Sequence, residues 1–378
     1  MRGAAAAERT ARSARAIAGR CRGVIRAAPS LPDIDLTPRL ERGAWHLARV
    51  VGLSGAAYLV AGTGMAYVAG FDNVADRLAA VNWLWIGLAG AAVLVGFAGY
   101  WVAYRGIYLV ENGPRIAPRM MFALVAAGFG GMLSHGSGRL DRLAVRASGA
   151  DEREARVRVT ALSGFEYGVL AAIVFPAALV AVTLGDRIPR PSFSVPWAIA
   201  PVPGFLLAAW LAARYRDRLR SRDGVLGGVG VFLDAIHLTV LLFRHPARTG
   251  FAALGMALYW GADMFALWTT TAAFGVRMSL LAVIVAFGTG MIASRRTAPL
   301  GGAGLLGLAL VPSIWYGAAV PFAAATLGVA AYQFFTLWVP LPGSLLVVPV
   351  LKTLREAKRR PDVPGRPLGT PEPPPGPG

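Results

Sequence analysis

The sequence predicts an all-α, polytopic membrane protein: a helix bundle with about eight transmembrane helices plus two re-entrant elements. Three observations carry that prediction. Apolar stretches of roughly twenty residues without a charge recur along the chain, the length a helix needs to cross a hydrocarbon core of about 30 Å. Only 15% of the 378 residues are charged and 56% are hydrophobic, whereas a soluble domain carries about 25% charged residues. The stretches are rich in Ala, Leu, Val and Gly without polar alternation, which excludes an outer-membrane barrel. In lipid such segments must satisfy their own backbone, so they are helices.

Residues 1–47 hold nine Arg and read as a basic, partly disordered cytoplasmic arm. Because 47 residues precede the first apolar run, a signal peptide is not expected. Apolar runs follow at 48–69, 83–104, 120–134, 162–184, 195–213, 225–243, 250–274, 278–294, 299–318 and 322–343, within an integral membrane domain over 48–351. Residues 352–378 start basic and end in PDVPGRPLGTPEPPPGPG, a Pro/Gly-rich tail expected to be disordered. Cys21 stands alone, so no intramolecular disulfide or Cys-based metal site is expected.

The net charge of +18 is a topology signal. Two runs break simple alternation, because 120–134 and 225–243 each have Arg on both sides, including Arg115, Arg119, Arg139 and Arg142 around the first. If both re-enter and leave on one side, only Arg77, Arg187, Arg190 and Arg277 of the 38 basic residues face outward. The positive-inside rule favours that arrangement, with both termini cytoplasmic. Both runs are glycine-rich (Gly128, Gly130 and Gly131; Gly227, Gly228 and Gly230). Paired Gly-interrupted segments in matching positions of two halves point to a transporter-type site, so an internal repeat of 48–134 and 162–243 is expected.

The segment APLGGAGLLGLALVPSIWYGAAVPFAAATLGVAAYQFFTLWVPLPGSL resembles the C-terminal signature of the membrane region of lysylphosphatidylglycerol synthases, the flippase-like family. Pro299, Gly301, Gly302 and Gly304 match its Gly-rich opening, Val320-Pro321 its turn, Tyr332 its Tyr, and Trp338 with Pro340 its end. Gly307 and Gln333 stand where the signature has Glu and Arg. Upstream, residues 129–170 are similar to the family's Gly-rich element, basic loop and following helix. The resemblance covers roughly 120–350. It implies a stand-alone lipid-translocase-like unit, because the terminal segments are too short for the aminoacyl-transferase domain of the full synthases.

Ionisable residues inside apolar runs are costly to insert and count as functional candidates. Asp263 lies deep in the 250–274 run, Asp234 and His237 share a helical face by their spacing of three, and Glu166 lies about a turn inside its run. Against each stands a structural reading, a hydrogen bond to a neighbouring helix or basic loop. His135, Ser137 and Arg139, in HGSGR, form a candidate phosphate site, and Arg295 and Arg296 before the Pro299 cluster a second. The alternatives are a flexible turn and ordinary positive-inside charge. Gly302 to Gly307 satisfies G-x-G-x-x-G, but a dinucleotide fingerprint needs a βαβ unit, which an all-helical chain lacks.

No catalytic set, metal spacing or cofactor motif is assembled, and the Arg-rich arm lacks the aromatics of nucleic-acid binding. The expected function is binding or translocation of an anionic or isoprenoid-linked lipid between leaflets of the cytoplasmic membrane. The alternative is a non-transporting membrane subunit that scaffolds a lipid-modifying or glycosyl-transferring partner. Membrane lipids are the expected partners of the first, and that enzyme the partner of the second.

Overall fold

The computed structural model describes residues 58–297 and 310–340, with Gly52, Gly55 and Ala56, less several positions in the turns at 111–115, 132–136, 186–188, 221–223 and 246–250. Side chains at 127–140, 147 and 294–297 lie outside the description. The elements in chain order are α1 (Tyr58–Ala69), α2 (Phe71–Ala79), α3 (Trp83–Leu109), α4 (Pro118–Gly131), α5 (Ser137–Ala147), α6 (Glu152–Thr183) and α7 (Pro191–Ile199). There follow α8 (Pro201–Leu219), α9 (Gly224–Arg244), α10 (Ala252–Ala273), α11 (Leu280–Thr297), α12 (Leu310–Pro312) and α13 (Phe322–Gln333). The last two continue as π-helical turns, Ser313–Gly317 and Phe334–Trp338. No strand occurs among the described residues, and four helices are long and apolar enough to cross a membrane: α3, α6, α7 with α8, and α9.

Local chemistry explains where these helices start. Asn82 accepts a hydrogen bond from the Leu84 amide at 3.1 Å, and Asp151 accepts one from Glu154 at 2.7 Å. Each side chain satisfies a donor that the first helical turn leaves orphaned. α7 and α8 begin with Pro191 and Pro201, at positions where the missing amide costs nothing. At 32 residues, α6 is about 48 Å long, more than a hydrocarbon core. Its charged first turns therefore extend beyond any apolar layer.

The core is built around α10, which buries fifteen of its 22 residues. α10 runs antiparallel to α3, and small residues bring the two backbones together. A Cβ added to Gly99 would lie 2.6 Å from the Gly255 carbonyl oxygen, and one added to Gly255 2.7 Å from that of Gly99. Gly96 meets Ala262 and Gly106 meets Ala252. At the far end the Asn82 amide donates to the Ala273 carbonyl at 3.0 Å. Without a hydrophobic drive in lipid, such close van der Waals packing is what joins helices.

Two expectations are corrected. The first Gly-rich run is not one short insertion followed by a basic loop. α4 and α5 are two limbs of a helical hairpin, and the Arg142 and Arg146 expected in a loop lie on α5, which buries Asp141, Ala144 and Val145 on its inner face. The hairpin leaves the bundle and rejoins it at one end, because Arg158 near the start of α6 donates to Ile107 and Val110 at the end of α3. The second run is not broken by its glycines. α9 is continuous through Gly227, Gly228 and Gly230. Gly230 instead admits the Leu219 carbonyl oxygen, 2.7 Å from where its Cβ would be, and Gly227 admits that of Arg222. A hairpin and a single helix differ, so the expected internal repeat does not extend to these elements.

The outer surface is apolar, with Leu94 72%, Leu206 61%, Leu254 68% and Val225 86% exposed. At the end of the bundle opposite Arg158, three arginines are each held by structure. Arg77 donates to the Phe274 carbonyl that ends α10, at 2.8 Å. Arg190 donates to the Tyr316 carbonyl at 2.9 Å and lies 4.2 Å from its ring centroid, while Arg277 lies 5.5 Å from that of Trp85. Cations suit helix C-termini and aromatic faces. Arg77→Ala is expected to cost about 1–2 kcal/mol of stability by freeing the α10 terminus, read as a lower unfolding midpoint in detergent.

Candidate functional site

Four helices bring polar groups together at the centre of the bundle. Asp263 is on α10, one turn after Trp260, and both are buried. Tyr332, on α13, donates its hydroxyl to Asp263 Oδ2 at 3.1 Å. The Trp260 indole N–H donates to the backbone carbonyl of Glu166 on α6 at 2.8 Å, and the Glu166 side chain is buried as well. Phe287 of α11 packs against both Trp260 and Tyr332, with ring centroids 5.8 Å and 6.2 Å away. Asp263 thus sits within an aromatic frame supplied by three helices, with the Glu166 backbone bonded to its Trp260. Gln333 is buried beside Tyr332 at the start of the π-helical turn. Such turns leave the regular backbone ladder and recur at functional positions.

The other hydroxyls of α10 are already engaged. Thr269, Thr270 and Thr271 are fully buried and donate to carbonyls three or four residues back on their own helix. They line the helix without adding free donors.

The remaining sequence candidates separate from this centre. Asp234 pairs with Arg153 at 2.9 Å, on the first turn of α6, so it belongs to the charged end. His237 lies one turn further along α9 and is partly exposed. Ser137 and Arg139 are on α5, and Arg295 and Arg296 are in the last turn of α11, but their side chains lie outside the description. His135, Pro299, Gly301, Gly302, Gly304 and Gly307 lie outside the described residues.

One cluster was missed by sequence reasoning. The Tyr104 hydroxyl on α3 donates to Asp141 Oδ1 on α5 at 2.8 Å, and the Tyr108 hydroxyl donates to Tyr104 at 2.9 Å. Arg158, only 3% exposed, completes the wall and donates to Glu154, Ile107 and Val110. These groups line a cavity of about 10 Å³, room for one water. Burial pushes the Asp141 carboxyl up to about 7, while the Tyr104 hydrogen bond pulls the other way. A signal was present in the sequence, since Asp141, Ala144 and Val145 follow the i, i+3, i+4 spacing of a buried helix face.

Among the described residues, no group of three or more His, Cys, Asp or Glu converges to hold a metal ion. Compared with known proteins, the chain matches no family model and no curated protein.

Proposed function

We propose that the chain is an integral membrane protein of the flippase-like kind, which binds an anionic or isoprenoid-linked lipid and moves it between leaflets. The observation that carries this reading is the pair of buried carboxylic residues, Glu166 and Asp263, on adjacent helices within an apolar bundle. Ionisable groups at such depth are expensive, and they mark substrate or proton paths. Asp263 with Tyr332 would supply the transported headgroup with a hydrogen-bonding or proton-accepting point beside the rings of Trp260 and Phe287.

A topology of about eight crossings fits this function, with the α4–α5 hairpin entering from one side and α9, a single unbroken helix long enough to cross, packed in from the same end. Its supports are geometric. Both limbs of the hairpin join the bundle at the Arg158 end. α9 is tied to that end by Asp234 with Arg153, and by Leu242, whose carbonyl accepts a 3.5 Å bond from Thr249 beside Gly106. The arginines of that end then face the cytoplasm, as do both termini, and the host is the cytoplasmic membrane.

The test is reconstitution with labelled lipids, scored leaflet by leaflet. Wild-type protein is expected to exchange an anionic lipid. Asp263→Asn and Tyr332→Phe are expected to slow exchange about tenfold, equivalent to roughly 1.4 kcal/mol on the limiting step. Unchanged rates in both Asp263→Asn and Glu166→Gln would remove transport through this site.

A second reading has its own observation. Asp263 and Asp234 are each bound within the protein, to Tyr332 and Arg153, as suits a closed scaffold. On that reading the chain is a membrane subunit that holds a lipid-modifying or glycosyl-transferring enzyme. Wild-type protein would then move no lipid and would instead co-purify with such an enzyme.

A further inference from the structure

The Asp141 cluster lies apart from the Glu166–Asp263 centre, and nothing in the proposed transport uses it. It sits where the amphipathic helix α5 meets α3 and α6. We propose that Asp141 is a proton-binding site that latches α5 to the bundle: the neutral carboxyl keeps the helix docked, and its ionisation loosens it. The inference stands independently of any lipid path.

Geometry supports this first. Asp141 is 9% exposed. Its one hydrogen bond among those described comes from Tyr104, whose hydroxyl is in turn held by Tyr108. Among the described side chains, the surrounding charges do not neutralise a carboxylate at this point. From α6, Arg158 lines the same cavity, but its guanidinium is committed to Glu154 at 2.8 Å and to the Ile107 and Val110 carbonyls. On α5 itself, Arg146 is paired with Glu152, and Arg142 lies on the exposed side. From α3, Tyr104 and Tyr108 face Asp141, whereas Arg105 is exposed. An ionised Asp141 would therefore keep one neutral donor and a cavity with room for about one water. A neutral carboxyl is compatible with both.

The direction of the effect follows from linkage. The docked carboxyl holds its proton up to about 7, against the ordinary 3.8. Between those values the docked helix carries a proton that the undocked one releases, so rising pH favours undocking. Docking is strongest below about pH 4, weakens through the window and levels off above neutrality. The ceiling on that slope is about tenfold per pH unit. Opening of α5 is thus expected to rise on the order of 10- to 100-fold from pH 5 to pH 8. Because α5 belongs to the Arg-rich end, the latch reads the pH on that side of the membrane.

The experiment is amide hydrogen exchange across residues 137–147 of the full chain in nanodiscs, corrected for intrinsic exchange and measured from pH 5 to pH 8. Infrared difference spectra over the same range follow the protonated-carboxyl stretch. Wild-type α5 is expected to lose protection as pH rises, in step with loss of that stretch. Asp141→Asn, neutral at every pH, is expected to stay protected throughout and to lack the titrating band. Tyr104→Phe removes the bond that favours the ionised form, so its midpoint is expected to move to higher pH. Wild-type protection that does not change with pH overturns the proposal whatever the variants do. A midpoint in the ordinary carboxylate range, or a pH response retained in Asp141→Asn, overturns it equally.

Discussion

Gly255→Leu is expected to give a protein that cannot close its core. The Gly99 carbonyl oxygen lies 2.7 Å from where a Gly255 Cβ would be, and the Ala103 amide nitrogen 2.9 Å away. Both are backbone atoms of α3, so no side chain can rotate out of the way. Ordinary overpacking costs about 1–3 kcal/mol. Here the helices themselves must separate, and with them the packing of Gly96 on Ala262 and Gly106 on Ala252, so the expected loss exceeds ~3 kcal/mol. The measurement is the thermal unfolding midpoint in detergent, with monodispersity on size exclusion. Gly261→Leu is the matched control, since nothing lies within 4 Å of a Cβ at that position on the same helix. It should behave as wild type. Equal midpoints for the two variants would show that α3 and α10 do not meet at these glycines.

Arg158→Ala should be nearly as damaging, by a different route. Arg158 is 3% exposed, and its Nη1 donates to Ile107 at 2.7 Å and to Val110 at 3.1 Å. Those carbonyls belong to the end of α3, where no further turn of helix follows; Val110 also accepts from the Gly113 amide at 3.1 Å, so Ile107 is the one that depends on Arg158. Leaving a buried polar group unpaired costs about 1–3 kcal/mol. One such group, plus the cavity left by the side chain, puts the expected loss at roughly 2–4 kcal/mol. Glu154, the charged partner, is 40% exposed at its side chain and can rehydrate, so the Ile107 carbonyl and the cavity dominate. Arg158→Lys keeps a cation without the fork and should fall between wild type and alanine. Exchange protection near residues 107–113 is expected to drop first. A variant that loses global stability while that segment stays protected would place the effect elsewhere.

The helices were legible because their cause is local. Trp83 starts α3 where the apolar run was read, and α10 lies within the expected 250–274 run. Hydrocarbon-length apolar sequence has few alternatives to a helix. The hairpin was less legible, since glycines in the last turn of α4 and arginines along α5 read as a break and a loop. The helical spacing of Asp141, Ala144 and Val145 was present but outweighed by charge. In α9 the glycines suggested broken backbone, whereas their use is close approach to the Leu219 and Arg222 carbonyls. Composition alone does not separate those two uses.

By itself the sequence determined an all-helical fold among the described residues, four of its expected eight or so apolar helices long enough to span a bilayer, and the concentration of arginine beside particular helix ends. Those properties depend on neighbouring residues and on the solvent each segment tolerates. Tertiary structure alone decided which polar groups meet. Tyr332 reaches Asp263 across 69 positions, Arg158 reaches Ile107 across 51, and Tyr104 reaches Asp141 across 37. Periodicity shows which face of a helix is buried. The partner on that face depends on helix register, and here register is set by how closely Gly99 and Gly255 let two backbones approach.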